Sequence, residues 1–319
     1  MKRKGLVFLL CLSLLCLAGC HHSGEAAKRY VAVITKSADS DFFEKMHSGA
    51  ETAATQYHLT VSFEAPRNEE DYESQNRMIE KAVENGADAI LLSAIDYEKN
   101  SDAVNNAVRK GVKVLTVDSD VRSDLTSQFI GTDNREAGRV AAQAAVNCFS
   151  KETLIRIGVV SFTESTENGK MREEGFREAI RDVPNAEVVD FITCDSSVQS
   201  AEEAALSLIE RYPQINVLVG MNEWMTLGVG NAIQNSGCSD RVAGIGFDSN
   251  PQSISLLESG DMKALIVQNP FAMGYLGIQS AAELLSGETP DSADLFTEVI
   301  PVTRENLYDR DIQKLLFRL

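Results

Sequence analysis

Short apolar runs of strand length alternate with longer stretches whose apolar positions recur at helical spacing. Tyr30-Val31-Ala32-Val33-Ile34-Thr35 is one such run. Residues 42–57 follow, with Phe43, Met46, Ala50 and Ala53-Ala54 spaced for one helical face. Asp41, with Glu44 three positions on, suits a helix N-terminus. The same rhythm predicts a strand at 59–63, a helix at 71–85 stopped by Gly86, a strand at 89–92, a helix at 103–110 stopped by Gly111, and a strand at 112–117. After a short strand at Gln128-Phe129-Ile130 and the segment Gly131-Thr132-Asp133, it restarts. Helices are then expected at 135–148, 170–181, 200–211 and 224–235, between strands at 154–161, 187–193, 216–220 and 241–247.

Strands that are apolar on both faces and joined by helices predict parallel sheets covered on both sides. There are too many strands for one small sheet, and they fall into two similar blocks. The expected fold is therefore α/β, with two doubly wound parallel-sheet domains. An eightfold barrel also alternates strand and helix, but the pause at 119–132, with its extra short strand, suits a crossing between domains better.

The N-terminus has its own pattern. Met1-Lys2-Arg3-Lys4 is basic, and residues 6–17 are apolar but shorter than the roughly 20 residues a spanning helix needs. Leu17-Ala18-Gly19-Cys20 closes the run and resembles the lipobox of bacterial lipoproteins. That resemblance implies a signal peptide at 1–20, cleavage before Cys20, lipidation of Cys20 and a membrane-anchored, extracytoplasmic chain, on the outer face of the cytoplasmic membrane or in the periplasm. Residues 21–28 read as a polar spacer. No later apolar segment is long enough to span a bilayer.

Composition narrows the function. Aspartate and glutamate total 47 against 30 lysines and arginines, a net charge of −17, which argues against nucleic-acid binding. Of six cysteines, Cys11 and Cys16 lie in the signal and Cys20 is the lipid site. The odd remainder, Cys148, Cys194 and Cys238, cannot all pair and matches no metal-site spacing, so free or buried thiols are expected. No His-Glu-x-x-His, Gly-x-Ser-x-Gly or phosphate-loop motif occurs, and Gly244-x-Gly246 lacks the third glycine of a dinucleotide fingerprint. The expectation is a binding protein rather than an enzyme, with no cofactor and no metal.

Ligands of open α/β sheets bind beyond the carboxyl ends of the strands. In this chain those ends carry carboxylates, amides, Arg172 and large aromatics. That mix suits a neutral polyol such as a sugar: carboxylates and amides exchange hydrogen bonds with hydroxyls, a guanidinium donates as a fork, and aromatic faces pack a sugar ring.

Several motifs carry a family resemblance. They are Asp41-Phe42-Phe43, Val117-Asp118, Gly131-Thr132-Asp133-Asn134 with Gly138, Arg172-Glu173-Glu174-Gly175-Phe176, Asn222-Glu223 with Leu227-Gly228, Gly246-Phe247-Asp248 and Val267-Gln268-Asn269-Pro270. In order and spacing, over roughly residues 29–305, the chain resembles the type I periplasmic sugar-binding proteins, of which the ribose and galactose binders are the best known. The resemblance implies a three-strand hinge, with crossings near Thr132-Asp133, Gln268-Asn269 and residues 299–302. It implies a first domain of 29–132 plus 269–299 and a second of 133–268 plus 300–319. The ligand-binding residues it implies are Phe42, Phe43, Ser93, Asp118, Ser119, Arg172, Asn222, Phe247, Asp248 and Gln268, with Phe42 and Phe247 flanking the sugar ring.

The chain departs from the ribose binder at four of these places. Ser119 stands for an arginine, Ser93 and Ser40 for asparagines, and Asp41 for a proline. Losing buried donors changes discrimination between sugars strongly, so a pentose or hexose of other stereochemistry, a larger ligand or another polyol stays open. The implied partner is the permease of an ABC importer; a membrane histidine kinase or chemoreceptor is the alternative. A monomer is expected. The export signal and the lack of a helix-turn-helix segment argue against a lac-repressor-type regulator.

Overall fold

A computed structural model describes residues 29–162 and 165–317. The first sheet contains β1 (Tyr30–Ile34), β2 (Thr60–Glu64), β3 (Ala89–Leu92), β4 (Lys113–Val117), β5 (Phe129–Thr132) and β11 (Asp294–Thr297), in the order β11-β5-β4-β3-β1-β2. The second contains β6 (Ile155–Phe162), β7 (Ala186–Cys194), β8 (Val217–Gly220), β9 (Ala243–Phe247), β10 (Met262–Val267) and β12 (Ile300–Val302), in the order β12-β10-β9-β8-β6-β7. Every named pairing is parallel except β10 with β12. The two sheets have the same winding, as two doubly wound domains require.

The helices are α1 (Asp41–Gln56), α2 (Tyr72–Glu84), α3 (Ser101–Arg109), α4 (Asn134–Asn147), α5 (Glu167–Arg181), α6 (Val198–Arg211), α7 (Glu223–Asn235), α8 (Pro251–Ser259), α9 (Pro270–Ser286) and α10 (Arg310–Leu316). The central strands are apolar because both faces are covered. Val31, Val33, Leu91 and Leu115 pack with α1 and α9, whereas Ala32, Ile34, Ile90 and Val114 pack on the side of α2 and α3. A single apolar cluster built on Val159, Leu218, Ile245 and Leu265 fills the second half. The chain passes between the halves three times: from β5 to α4, from β10 to α9, and from β11 to β12.

Each half contains one helix pair in very close approach. On α1 and α9, a Cβ at Gly49 or Gly274 would overlap the backbone of Phe271 or Met46. On α4 and α5, a Cβ at Gly138 or Gly175 would overlap the carbonyls of Arg172 or Arg135. The second contact sets the height of Arg172 above its sheet.

The periodicity-based reading stops at residue 247, short of β10, α8, α9 and α10, and two further features differ from it. Helix α5 begins at Glu167 rather than at residue 170. β11 and β12 are short and half-exposed, so they lack the continuous apolar run by which the other strands are read. Among the described residues no helix is long and apolar enough to cross a membrane, and Cys148, Cys194 and Cys238 are unpaired. Cys20 and the signal and spacer segments lie outside the described residues.

Candidate functional site

The carboxyl ends of the two sheets face each other across a small polar cavity. From the first half, Lys36, Ser40, Phe42, Phe43, Glu69 and Asp118 line it. From the second come Phe162, Asn168, Arg172, Asn222, Glu223, Trp224 and Asp248, and Gln268 stands at a crossing.

Two aspartates occupy matching positions. Asp118 directly follows β4 and Asp248 directly follows β9, with φ of 62° and 64°. Aspartate tolerates this left-handed conformation better than most residues, and such strain concentrates at functional sites. Asp118 accepts from Ser93 Oγ at 2.8 Å, lies 3.2 Å from Lys36 Nζ and accepts from Asn168 Nδ2 of the opposite half at 3.3 Å. Asp248 accepts from Gln268 Nε2 at 2.7 Å, while Thr132 Oγ1 donates to Gln268 Oε1 at 2.8 Å. Two crossings thus orient one carboxylate.

Arg172 is 1 % exposed. Its Nε donates to Asn134 Oδ1 and its Nη1 to the Met221 carbonyl, at 2.8 and 2.9 Å, and the guanidinium lies 4.5 Å from the Phe247 ring centre. Its Nη2 has no partner. Burial lowers the basicity of Arg172, against the pull of Asp248, Asp118 and Glu69. Burial raises the pKa of Asp248 against Arg172 and Gln268, and raises that of Glu69 against Lys36. Glu69 also keeps an oxygen, Oε2, buried without a hydrogen bond. A buried donor and a buried acceptor therefore stand unused on the wall of one cavity. Such groups are costly unless something pairs with them.

The structure brings Phe42, Phe43, Asp118, Arg172, Asn222, Asp248 and Gln268 to the cavity. Three expected residues do not line it. Ser93 lies behind Asp118 as its donor. Ser119 is buried with its hydroxyl unpartnered. Phe247 is the last residue of β9, and its ring packs into the core under Arg172 instead of flanking the ligand space. The second half's aromatic wall is Phe162 and Trp224.

Lys36, Ser40, Glu69, Phe162, Asn168, Glu223 and Trp224 were absent from the expected set. Glu69 sits in Arg67-Asn68-Glu69-Glu70-Asp71, a charge run that reads as a solvated turn, and Lys36 is a lone cation after a strand. Phe162 and Trp224 stand at strand ends, the signal that could have found them.

Further contacts join the halves around the cavity. Ser40 Oγ donates to Glu223 Oε2 at 2.7 Å, and Lys45 Nζ donates to the Ser249 carbonyl at 2.9 Å. The Ser196 and Tyr97 amides donate to Glu70 Oε1 and to the Ser165 carbonyl, each at 2.9 Å. The halves are shut on the cavity.

Two parallel α/β halves, three crossings and a polar cavity at facing strand ends define a two-domain solute-binding protein. The chain belongs to the family described as the periplasmic binding protein domain, whose model matches residues 31–289. Within it the similarity runs to sugar-binding members of ABC transport, a family that works outside the cytoplasm. A D-ribose/D-allose-binding protein of Pseudomonas aeruginosa is 25% identical, over 89% of this chain and 91% of its own length. A carbohydrate transporter solute-binding protein from Agrobacterium radiobacter, in complex with D-arabinose, superposes with a TM-score of 0.87 at 28% identity, over 91% of this chain and 99% of the other. A sugar transporter from Clostridium phytofermentans superposes with a TM-score of 0.79 at 33% identity, over 87% and 100%.

Proposed function

We propose that the chain captures a single monosaccharide between its two domains and passes it to the permease of an ABC importer, working as a monomer held to the membrane by lipid on Cys20. The observation that carries the ligand reading is the pair of unused groups on the cavity wall, Arg172 Nη2 and Glu69 Oε2. A neutral polyhydroxy ligand satisfies both, because each of its hydroxyls can accept and donate. Phe42, Phe43, Phe162 and Trp224 give such a ligand apolar walls for its ring faces. The cavity's carboxylates outnumber its cations, which disfavours sugar acids and phosphates.

In this reading Glu69 joins Phe42, Phe43, Asp118, Arg172, Asn222, Asp248 and Gln268 as a ligand contact. The domains are 29–132 plus 269–299, and 133–268 plus the chain from residue 300 on. Binding favours the shut form because its contacts come from both halves. A thermal-unfolding screen against pentoses, hexoses and polyols tests this. A ligand bound only by the folded state stabilises by about 2.7 kcal/mol at a hundred times its Kd. A panel in which no monosaccharide raises the Tm would refute the sugar reading.

A further inference from the structure

Lys36 and Glu69 belong to neither the expected site nor any motif of the family resemblance, yet both line the cavity and both are nearly inaccessible, at 3 % and 6 % exposed. Lys36 Nζ stands 3.2 Å from Asp118 Oδ2 and lies between two rings, 5.9 Å from the centres of both Phe43 and Phe162. Its separation from Glu69 Oε2 is 4.0 Å, too long for a hydrogen bond, and that oxygen has no other partner.

Resting on the sugar reading above, we propose that Lys36 and Glu69 together hold one hydroxyl of the bound sugar, and that this contact decides which stereoisomer fits. The 4.0 Å separation suits one bridging oxygen. An oxygen roughly 2.8 Å from both Nζ and Oε2 closes a triangle on the 4.0 Å gap. A hydroxyl suits the place because it accepts from the ammonium while donating to the carboxylate. A carbonyl oxygen can only accept, and an ammonium can only donate.

The surroundings hold the pair in place. The next residue, Glu70, accepts from the Ser196 amide of the opposite domain, so the shut form adds a tie to the Glu69 loop. Lys36 also brings a cation to Asp118 from the end of β1, whereas Ser119, directly after Asp118, supplies only a short hydroxyl with no partner. The positive donor beside Asp118 therefore comes from the end of β1.

The test uses the monosaccharide that the thermal screen selects, together with its set of monodeoxy analogues, on wild type, Glu69→Ala, Glu69→Gln and Lys36→Met. Calorimetry should show one analogue bound at least roughly a hundredfold more weakly than the parent sugar by wild type, since a site built around a hydroxyl rejects the ligand that lacks it. For Glu69→Ala the same analogue and the parent sugar should differ by less than about threefold, with Glu69→Gln intermediate and Lys36→Met similar to Glu69→Ala. The remaining analogues should lose the same factor in every protein. A merely structural role would weaken all sugars alike and produce no such coupling. Equal losses for every analogue in wild type and Glu69→Ala, or a Glu69→Ala protein that binds the parent sugar as tightly as wild type, would overturn the proposal. Should wild type bind no monosaccharide, the sugar reading fails first and this contact with it.

Discussion

Ser40, before α1 of the first domain, donates its hydroxyl across the cleft to Glu223 Oε2, the first residue of α7 in the second, at 2.7 Å. Asn250 Nδ2 holds the other carboxylate oxygen at 2.9 Å. Both oxygens are thus engaged, one within the second domain and one from the facing domain. Burial pushes the Glu223 carboxyl up to about 7, against the donors Asn250 and Ser40, with Asp248 and Asp41 raising it further.

That relationship sets a pH dependence. A carboxyl raised in the shut form favours the protonated state, so its stabilising contribution is complete below the ordinary value of 4.5 and disappears as pH rises through about 7. Opening the cleft removes Ser40 and returns water to Glu223. Sugar affinity is therefore expected to fall from pH 5 to pH 8, by no more than about tenfold per pH unit for one coupled proton. Calorimetry across that range, in buffers of different ionisation heat, also reports the proton taken up. Glu223→Gln should flatten the profile; an unchanged slope in that variant would assign the dependence to Asp248 or Glu69.

Arg172 is expected to be a direct ligand contact through its free Nη2. Arg172→Ala should cost on the order of 2–4 kcal/mol of sugar binding, the usual effect of removing a charged partner from a closed site. Asp248→Ala should cost a similar amount, because it frees Gln268 Nε2 as well. Calorimetric affinities within threefold of wild type for both variants would remove these residues from the site.

The helix contacts separate folding from binding. Gly138→Ala and Gly274→Ala each drive a methyl into a backbone carbonyl, of Arg172 and Met46 respectively. Each is expected to cost about 1–3 kcal/mol of stability by overpacking. Only Gly138→Ala should also weaken sugar binding, since it shifts the turn that carries Arg172. Denaturant unfolding paired with calorimetry on the two variants makes the comparison.

Trp224 is the only tryptophan in the chain and lines the cavity at the start of α7. Its indole lies beside the Glu69 carboxylate of the other domain and favours the ionised form of that group. Sugar binding and closure are expected to shift its emission, saturating with the calorimetric Kd. A constant emission during tight binding would mean that the indole keeps the same surroundings in both forms.

Cys20→Ala is expected to lose lipid labelling and to leave the membrane fraction. Retained labelling, with unchanged fractionation, would refute the lipobox reading of Leu17-Ala18-Gly19-Cys20.

Much of the fold was legible because the central strands are apolar on both faces and their helices end at glycines such as Gly86 and Gly111, both with positive φ. β11 and β12 were not, since a short half-exposed strand has no apolar run to read. In the site, Asp118, Arg172 and Asp248 stand in motifs whose order along the chain is informative. Phe247 was misplaced because, at the end of a strand, which face a ring takes is settled by the neighbouring helix, here by Arg172 on α5. Glu69 and Lys36 could not be found from local pattern. Burial of a charged side chain depends on partners brought from distant parts of the chain, and nothing near either residue foretells them.

The three crossings also bear on the entropy of capture. Two bodies joined by a single strand could meet in many orientations, and a ligand would have to select one against all their relative rotations and slides. With the chain crossing at β5–α4, β10–α9 and β11–β12, covalent bonds have already removed most of those freedoms. What remains for the ligand to restrict is little more than an angle of opening, so contacts made in the cavity can go into affinity and discrimination rather than into alignment.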